Sequence, residues 1–171
     1  DLHRSGVVVP QLRSAPRLVA SLERKFRGDR HPVLDALAAA VPDHEQLAVA
    51  HGDCSPRNVV VTARGPVLID FDRLQMAGAG RDVQYMAAWA WVTDVLAGRT
   101  SVSAGWDLGD RFEAAYAAHR PEARAELDAT RRFHRASGLV RIAMSWSSLK
   151  RDAAARERVI QEATDWLHGR R

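Results

Sequence analysis

The stretch HGDCSPRNVVVTARGPVLIDFD, residues 51–72, contains the pattern that decides the fold. It opens with residues 51–57, which are rich in polar and turn-forming types. Two apolar, β-branched runs follow at 58–62 and 67–71, and residues 63–66 between them carry Arg-Gly turn chemistry. The sequence therefore predicts a polar loop followed by a β-hairpin, and no other strand pair.

The segments on either side of the hairpin have helical patterns. Upstream, apolar residues recur about one turn apart in 17–26 and 33–41, and 47–50 is a short apolar approach to the loop. Downstream we predict four more helices, at residues 83–98, 107–119, 122–149 (with a kink at Ser137-Gly138) and 152–167. The expected fold is mainly α, of the α+β class, with a small central β-hairpin that must pack on helices to be stable.

The composition is that of a single globular domain spanning residues 1–171. The 25 basic residues are scattered among 21 acidic ones, so we expect no nucleic-acid partner. No apolar run reaches the roughly 18 residues that a membrane span needs, and no secretion signal is evident, so we expect no membrane association. The single cysteine, Cys54, excludes an internal disulfide and agrees with a cytoplasmic location.

Three residues of the hairpin segment, His51, Asp53 and Asn58, follow the order of the kinase catalytic-loop motif H-R-D-x-x-x-x-N. His51 precedes Asp53 by two residues, Asn58 follows Asp53 by five, and Asp70 lies twelve residues beyond Asn58. In kinases the loop Asp accepts the proton of the substrate hydroxyl, the Asn binds magnesium, and a later Asp joins the metal to the phosphates. Ordinary turn and cap residues are the alternative, but turn chemistry does not require this order and spacing.

The segment resembles the aminoglycoside phosphotransferase and choline kinase superfamily, whose hallmark is HGD-x-x-x-x-N followed by a strand ending in I-D-W/F-E/D. This resemblance implies the C-terminal lobe of a protein-kinase-like fold. Its catalytic loop and metal strand would lie at 51–72, and its helical substrate-binding part at about 80–171. The layout agrees over residues 1–95, where the opening LHRSG resembles the helix that follows the interlobe hinge of the family.

The resemblance also implies a role for each matched residue of the site. Asp53 would be the catalytic base, and Asn58 and Asp70 would be the magnesium ligands. Ile69, directly before the metal-binding Asp, would border the adenine pocket. The implied cofactors are therefore ATP and Mg²⁺.

Supporting roles are implied for four further residues. His51 would hold the loop in shape, and Asp72 would be a second acid near the metal. Asp82 matches the last Asp of the family motif G-D-P-x-x-D-L-A, which braces the catalytic loop, although the G-D-P part has diverged here. Ser55 stands where protein kinases place a lysine, as is common in small-molecule kinases of this group.

The implied function is an ATP-dependent phosphotransferase that moves the γ-phosphoryl group to a hydroxyl of a small molecule, either an antibiotic, as in antibiotic resistance, or a metabolite. The chain has no glycine-rich phosphate loop and no strand lysine, and its two lysines, Lys25 and Lys150, are not placed for that role. We therefore expect the N-terminal nucleotide-binding lobe to be a missing partner, and the chain alone to be inactive.

Two other functions remain open. One is a non-catalytic kinase-like module that binds a ligand or partner. The other is a metal-dependent hydrolase with His51, Asp53, Asp70 and Asp72 as ligands, although two-metal sites need more ligands than this chain offers.

Two further expectations concern side chains outside the motif. Trp89 and Trp91 are two positions apart on one helix, so we expect them to face different directions and not both to lie in the core. Asp107, Asp110 and Glu113 cluster near a helix start, which is typical of a solvated acidic face with favourable dipole placement, although such a patch could also bind a cationic acceptor.

Overall fold

The computed structural model describes residues 9–26, 31–102 and 104–171. Its helices are α1 (Ala15–Lys25), α2 (Pro32–Ala39), α3 (Gly80–Leu96), α4 (Asp107–His119), α5 (Arg124–Ser145), α6 (Ser147–Arg151) and α7 (Ala153–Leu167). Its strands are β1 (Leu47–Ala50), β2 (Val59–Thr62), β3 (Gly65–Leu68) and β4 (Gln75–Gly78). The fold class predicted from the sequence is confirmed, whereas the LHRSG segment lies outside the described residues.

The described strands form two antiparallel pairs, so the prediction of a single pair was wrong. The expected hairpin is β2–β3, in which Val59 lies opposite Leu68. The second pair joins β1 to β4, with Leu47 opposite Gly78 and Ala50 opposite Gln75. Because β4 reads QMAG and has no β-branched residue, its own sequence does not signal a strand. The pairing places the start of the polar loop beside the chain that enters α3.

Helix α3 lies inside the helical core, between α4 and α5. Trp89 and Trp91 are both buried, with exposures of 3% and 1%, so the expectation that only one could be in the core was wrong. Trp91 stacks on Trp106 at 5.9 Å between ring centroids, and Trp89 meets Trp146 edge-on at 5.3 Å. A helix that is covered on several sides can bury side chains that face in different directions.

The long helix predicted at residues 122–149 ends earlier than expected. Helix α5 runs through Ser137 and Gly138 as one helix and ends at Ser145, and the extended backbone of Trp146 separates it from α6. At Gly138 the small residue permits close packing, since a Cβ there would lie 3.3 Å from the Cβ of Ala88 on α3. No helix among the described residues has the length and apolar character needed to cross a membrane.

The acidic cluster at the start of α4 is not a solvated face throughout. Glu113 is 3% exposed and accepts hydrogen bonds from Gln84 on α3 and from Arg131 and Arg135 on α5. Of the three acids in this cluster, only Asp107 and Asp110 are exposed at the surface. The expectation of a solvated patch was therefore wrong for Glu113, whose carboxylate joins three helices through a buried ion-pair network.

Candidate active site

Asp82, in the first turn of α3, holds the start of the polar loop. Its Oδ2 accepts a hydrogen bond from the backbone N–H of His51 at 2.5 Å, and its Oδ1 accepts one from that of Gly52 at 3.1 Å. Asp82 is 7% exposed. Hydrogen bonds from N–H groups to a buried carboxylate are charge-assisted and strong, so the loop entrance is fixed to the helix.

His51 joins the same loop to the segment that leads to Asp70. Its Nδ1 accepts a hydrogen bond from the backbone N–H of Asp53 at 3.2 Å, which places the ring proton on Nε2. That Nε2 donates to the carbonyl oxygen of Ile69 at 2.8 Å, and the ring packs on Phe71 at 4.8 Å between centroids. Because both nitrogens are engaged within the protein, His51 is not a metal ligand here, contrary to the hydrolase alternative.

Gly52 occupies a place that no other residue fits. Its φ of 80° lies in the left-handed region, which side chains disfavour. A Cβ at this position would lie 2.2 Å from the carbonyl oxygen of Arg73 and 2.5 Å from Nε2 of Gln75. The glycine therefore allows the loop to pack directly against the chain that follows Asp72.

Asp53 is oriented by a residue that the sequence did not single out, Arg141 on α5. Arg141 Nη2 donates to Asp53 Oδ1 at 2.9 Å, and its Nη1 donates to the carbonyl oxygen of Gly52 at 2.6 Å. The guanidinium also lies over the ring of Tyr85, 4.4 Å from its centroid. The Asp53 side chain retains 18% exposure, so its carboxylate is held in place but remains accessible.

Asn58 and Asp70 come together through the β2–β3 hairpin. Asn58 donates from Nδ2 to the backbone oxygen of Asp53 at 2.9 Å. The backbone carbonyl oxygen of Asn58 accepts a hydrogen bond from the backbone N–H of Ile69 at 2.9 Å. Asp70 follows directly, exposed and with a φ of 65°, which Asp tolerates better than most residues. The hairpin register thus places the amide and the second carboxylate at adjacent strand ends.

The remaining predicted residues occupy different environments. Ser55, within the loop, is completely buried, and its hydroxyl has no hydrogen-bond partner within the described ranges. Asp72 is exposed, and Ile69 is 42% exposed at the hairpin surface. Burial, together with the negative charges of Asp82 and Asp53, raises the pKa of the Cys54 thiol to about 12, so Cys54 stays protonated and unreactive at neutral pH.

The donor set at the hairpin fits magnesium. Asp70 offers a carboxylate and Asn58 an amide oxygen, and Mg²⁺ is commonly held by one or two such hard ligands together with phosphates and water. The described residues contain no group of three or more His, Cys, Asp or Glu side chains that could hold a metal ion.

Comparison with known proteins identifies a family for the chain. Residues 6–128, well over half of its length, match the family model APH, described as the phosphotransferase enzyme family. No curated protein matches the sequence.

Proposed function

The chain belongs to this phosphotransferase enzyme family, and on that premise we propose that it transfers the γ-phosphoryl group of ATP, with Mg²⁺, to a hydroxyl of a small molecule. The observation that carries the proposal is the accessible carboxylate of Asp53, which lies on the same hairpin segment as Asn58 and Asp70. Arg141, on α5, holds this carboxylate in place. The reaction belongs in the cytoplasm, where ATP is available.

Each residue has one task in this reaction. Asp53 orients the acceptor hydroxyl and accepts its proton as the oxygen–phosphorus bond forms and the bond from the γ-phosphorus to the β–γ bridging oxygen breaks, leaving ADP. Arg141 keeps the Asp53 carboxylate aimed, and Asn58 and Asp70 would hold the metal. When bound, magnesium supplies positive charge that offsets the phosphate charge.

The nucleotide base has a candidate contact surface on the hairpin. Val60 lies opposite Val67, and alternation places Ile69 on that same face, with exposures of 44%, 47% and 42%. We propose that this apolar face contacts the adenine ring, and that a second lobe outside this chain covers the phosphates. The assay of the proposed function therefore uses the full-length protein as its gene encodes it.

The test measures ADP release with ATP, Mg²⁺ and a panel of hydroxyl compounds that includes aminoglycosides, amino alcohols, sugars and hydroxy acids. Asp53→Asn should lower kcat by about 10²-fold to 10⁴-fold, the usual contribution of a general base. Asp107→Asn, which makes the same charge change at an exposed site on α4, should leave kcat unchanged. Full activity of Asp53→Asn would show that the assignment of the base is wrong, and no turnover with any acceptor would favour the non-catalytic module.

A further inference from the structure

A cleft of about 270 Å³ opens beside the Asp53 carboxylate, between α1, the polar loop (residues 51–57), α3 and α5. Among the described residues that line it, the charged ones are Asp53 and four cations, Lys25, Arg57, Arg73 and Arg141. This space is referred to below as the base cleft. Four positive charges around one carboxylate make it an electropositive site.

Only one of these cations pairs with an acid within the described part of the chain. Arg141 binds Asp53, whereas Lys25 donates from Nζ to the neutral hydroxyl of Ser145 at 2.5 Å. Arg57 lies over the ring of Trp89, 4.6 Å from its centroid. The positive charge of Lys25 and Arg57 is therefore not neutralised by a neighbouring carboxylate of those described ranges.

The electrostatics of Lys25 agree with that geometry. Burial lowers the pKa of Lys25 below its ordinary value, and the charges of Arg141, Arg73 and Lys150 lower it further. Asp53 opposes this effect but does not reverse it. Repulsion among these cations is the condition that an anionic ligand relieves.

A second cavity, of about 210 Å³, lies behind the loop and shares Lys25, Arg73 and Arg141 with the base cleft, so it is positive in balance although Asp72 also lines it. Arg81 lines it, is 8% exposed, and has a buried Nη1 without a hydrogen-bond partner in the described structure. Burial, followed by the charge of Arg141, lowers the pKa of Arg81 to about 10, although the charges of Asp82 and Glu45 act in the opposite direction. A buried guanidinium donor without a hydrogen-bond partner is unfavourable, and a bound anion that accepted a hydrogen bond from Nη1 would compensate for it.

We propose that the acceptor carries an anionic group, a carboxylate or a phosphate ester, in addition to the hydroxyl that it presents to Asp53. This inference rests on the proposed function. The anionic group would lie against Lys25 and Arg57, and Trp89 and Trp146 give the same cleft an apolar wall. A polycationic aminoglycoside would meet repulsion here, so the base cleft favours acidic acceptors over basic ones.

Three matched probes test the charge preference by calorimetry on the full-length protein without ATP: 4-(hydroxymethyl)benzoate, its primary amide and 4-(hydroxymethyl)benzylamine. They share one ring and one hydroxyl and differ in charge. We expect the benzoate to bind at least tenfold more tightly than the amide, and the amine to bind most weakly. Equal or tighter binding of the amine would overturn the proposal.

A pair of arginine variants locates the binding. Arg57→Gln should weaken benzoate binding about tenfold and leave amide binding unchanged. Arg64→Gln, at the exposed β2–β3 turn, makes the same charge change outside the cleft and should alter neither. Equal effects of the two variants would show that the anion does not bind in the base cleft.

Two further measurements complete the test. Competition with magnesium tripolyphosphate shows whether the cations bind the nucleotide or the acceptor, and turnover in the acceptor panel separates failure of this inference from failure of the proposed function. If magnesium tripolyphosphate displaces the benzoate, and Arg57→Gln weakens the tripolyphosphate to the same extent, the cations serve the nucleotide and the acceptor proposal fails. If turnover in the acceptor panel favours basic over acidic hydroxyl compounds, this inference fails while the proposed function stands. If the benzoate preference holds but no acceptor is phosphorylated, the proposed function fails while the anion site stands.

Discussion

Arg141 on α5 donates a hydrogen bond to the carboxylate of Asp53 at 2.9 Å, across 88 residues of sequence. Its second nitrogen bonds to the backbone oxygen of Gly52, so a single guanidinium fixes both the side chain and the backbone of the loop. The planar fork of arginine suits this double contact, whereas the ammonium of lysine does not reproduce it. The position of the proposed base, Asp53, thus depends on a helix outside the motif that contains it.

Arg141→Lys should lower kcat by about 10²-fold, because a displacement of a catalytic group by about 1 Å can have that effect. KM for ATP should change little, since Arg141 acts through Asp53. Steady-state kinetics of the full-length protein measure both quantities. Arg158→Lys on the exposed face of α7 is the matched control and should leave kcat unaltered. An unchanged kcat for Arg141→Lys would show that the ion pair does not position the base.

Asp82→Asn should destabilise the protein by about 1–3 kcal/mol, because one of the two backbone N–H groups that now bond to the carboxylate would face an amide NH₂. The free energy of unfolding from urea titration measures this loss. Asp94→Asn on the same helix removes a surface ion pair with Arg99 and should cost at most about 1 kcal/mol. Equal losses for the two variants would contradict a bracing role for Asp82.

Gly52→Ala should lower Tm far more than Gly65→Ala. Both glycines have positive φ, 80° and 111°, so both substitutions carry conformational strain of about 1–3 kcal/mol. Only at Gly52 does an added Cβ also meet backbone, at 2.2 Å from the oxygen of Arg73, whereas nothing lies within 4 Å of such an atom at Gly65. Differential scanning calorimetry of the two variants isolates the steric part, and similar Tm values would show that the loop can shift away from the contact.

Local sequence patterns sufficed for the loop, the hairpin and the helical remainder, since turn residues, β-branched runs and apolar spacing act over a few residues. They did not predict the β1–β4 pair or Arg141, because both depend on contacts between distant parts of the chain. Glu113 shows the same limit. Its place at the middle of α4, after two other acids, gives it the features of a solvated residue in the sequence, whereas its burial depends on arginines 18 and 22 positions further along.

The buried network around Glu113 predicts a specific pH dependence of stability. Burial opposes ionisation of Glu113, but hydrogen bonds from Arg131 and Gln84 and the charges of Arg131 and Arg135 outweigh it, so its pKa lies below the ordinary value of 4.5. A carboxyl group whose pKa is lower in the folded state stabilises the protein fully above its unfolded value. That contribution is lost as the pH falls through the folded pKa.

Glu113→Gln should therefore lower the free energy of unfolding by about 1–3 kcal/mol at pH 7, because the buried Arg135 and the partly buried Arg131 lose their shared carboxylate and keep only Asp110 and Asp128 as acidic partners. The difference from the natural protein should narrow as the pH falls below 4.5, where the natural carboxyl group also becomes protonated. Urea unfolding between pH 7 and pH 3 measures this convergence. Glu157→Gln, on the exposed side of α7, should show only a small difference at every pH. A deficit for Glu113→Gln that stays constant across the range would mean that lost packing, and not lost charge, destabilises the variant.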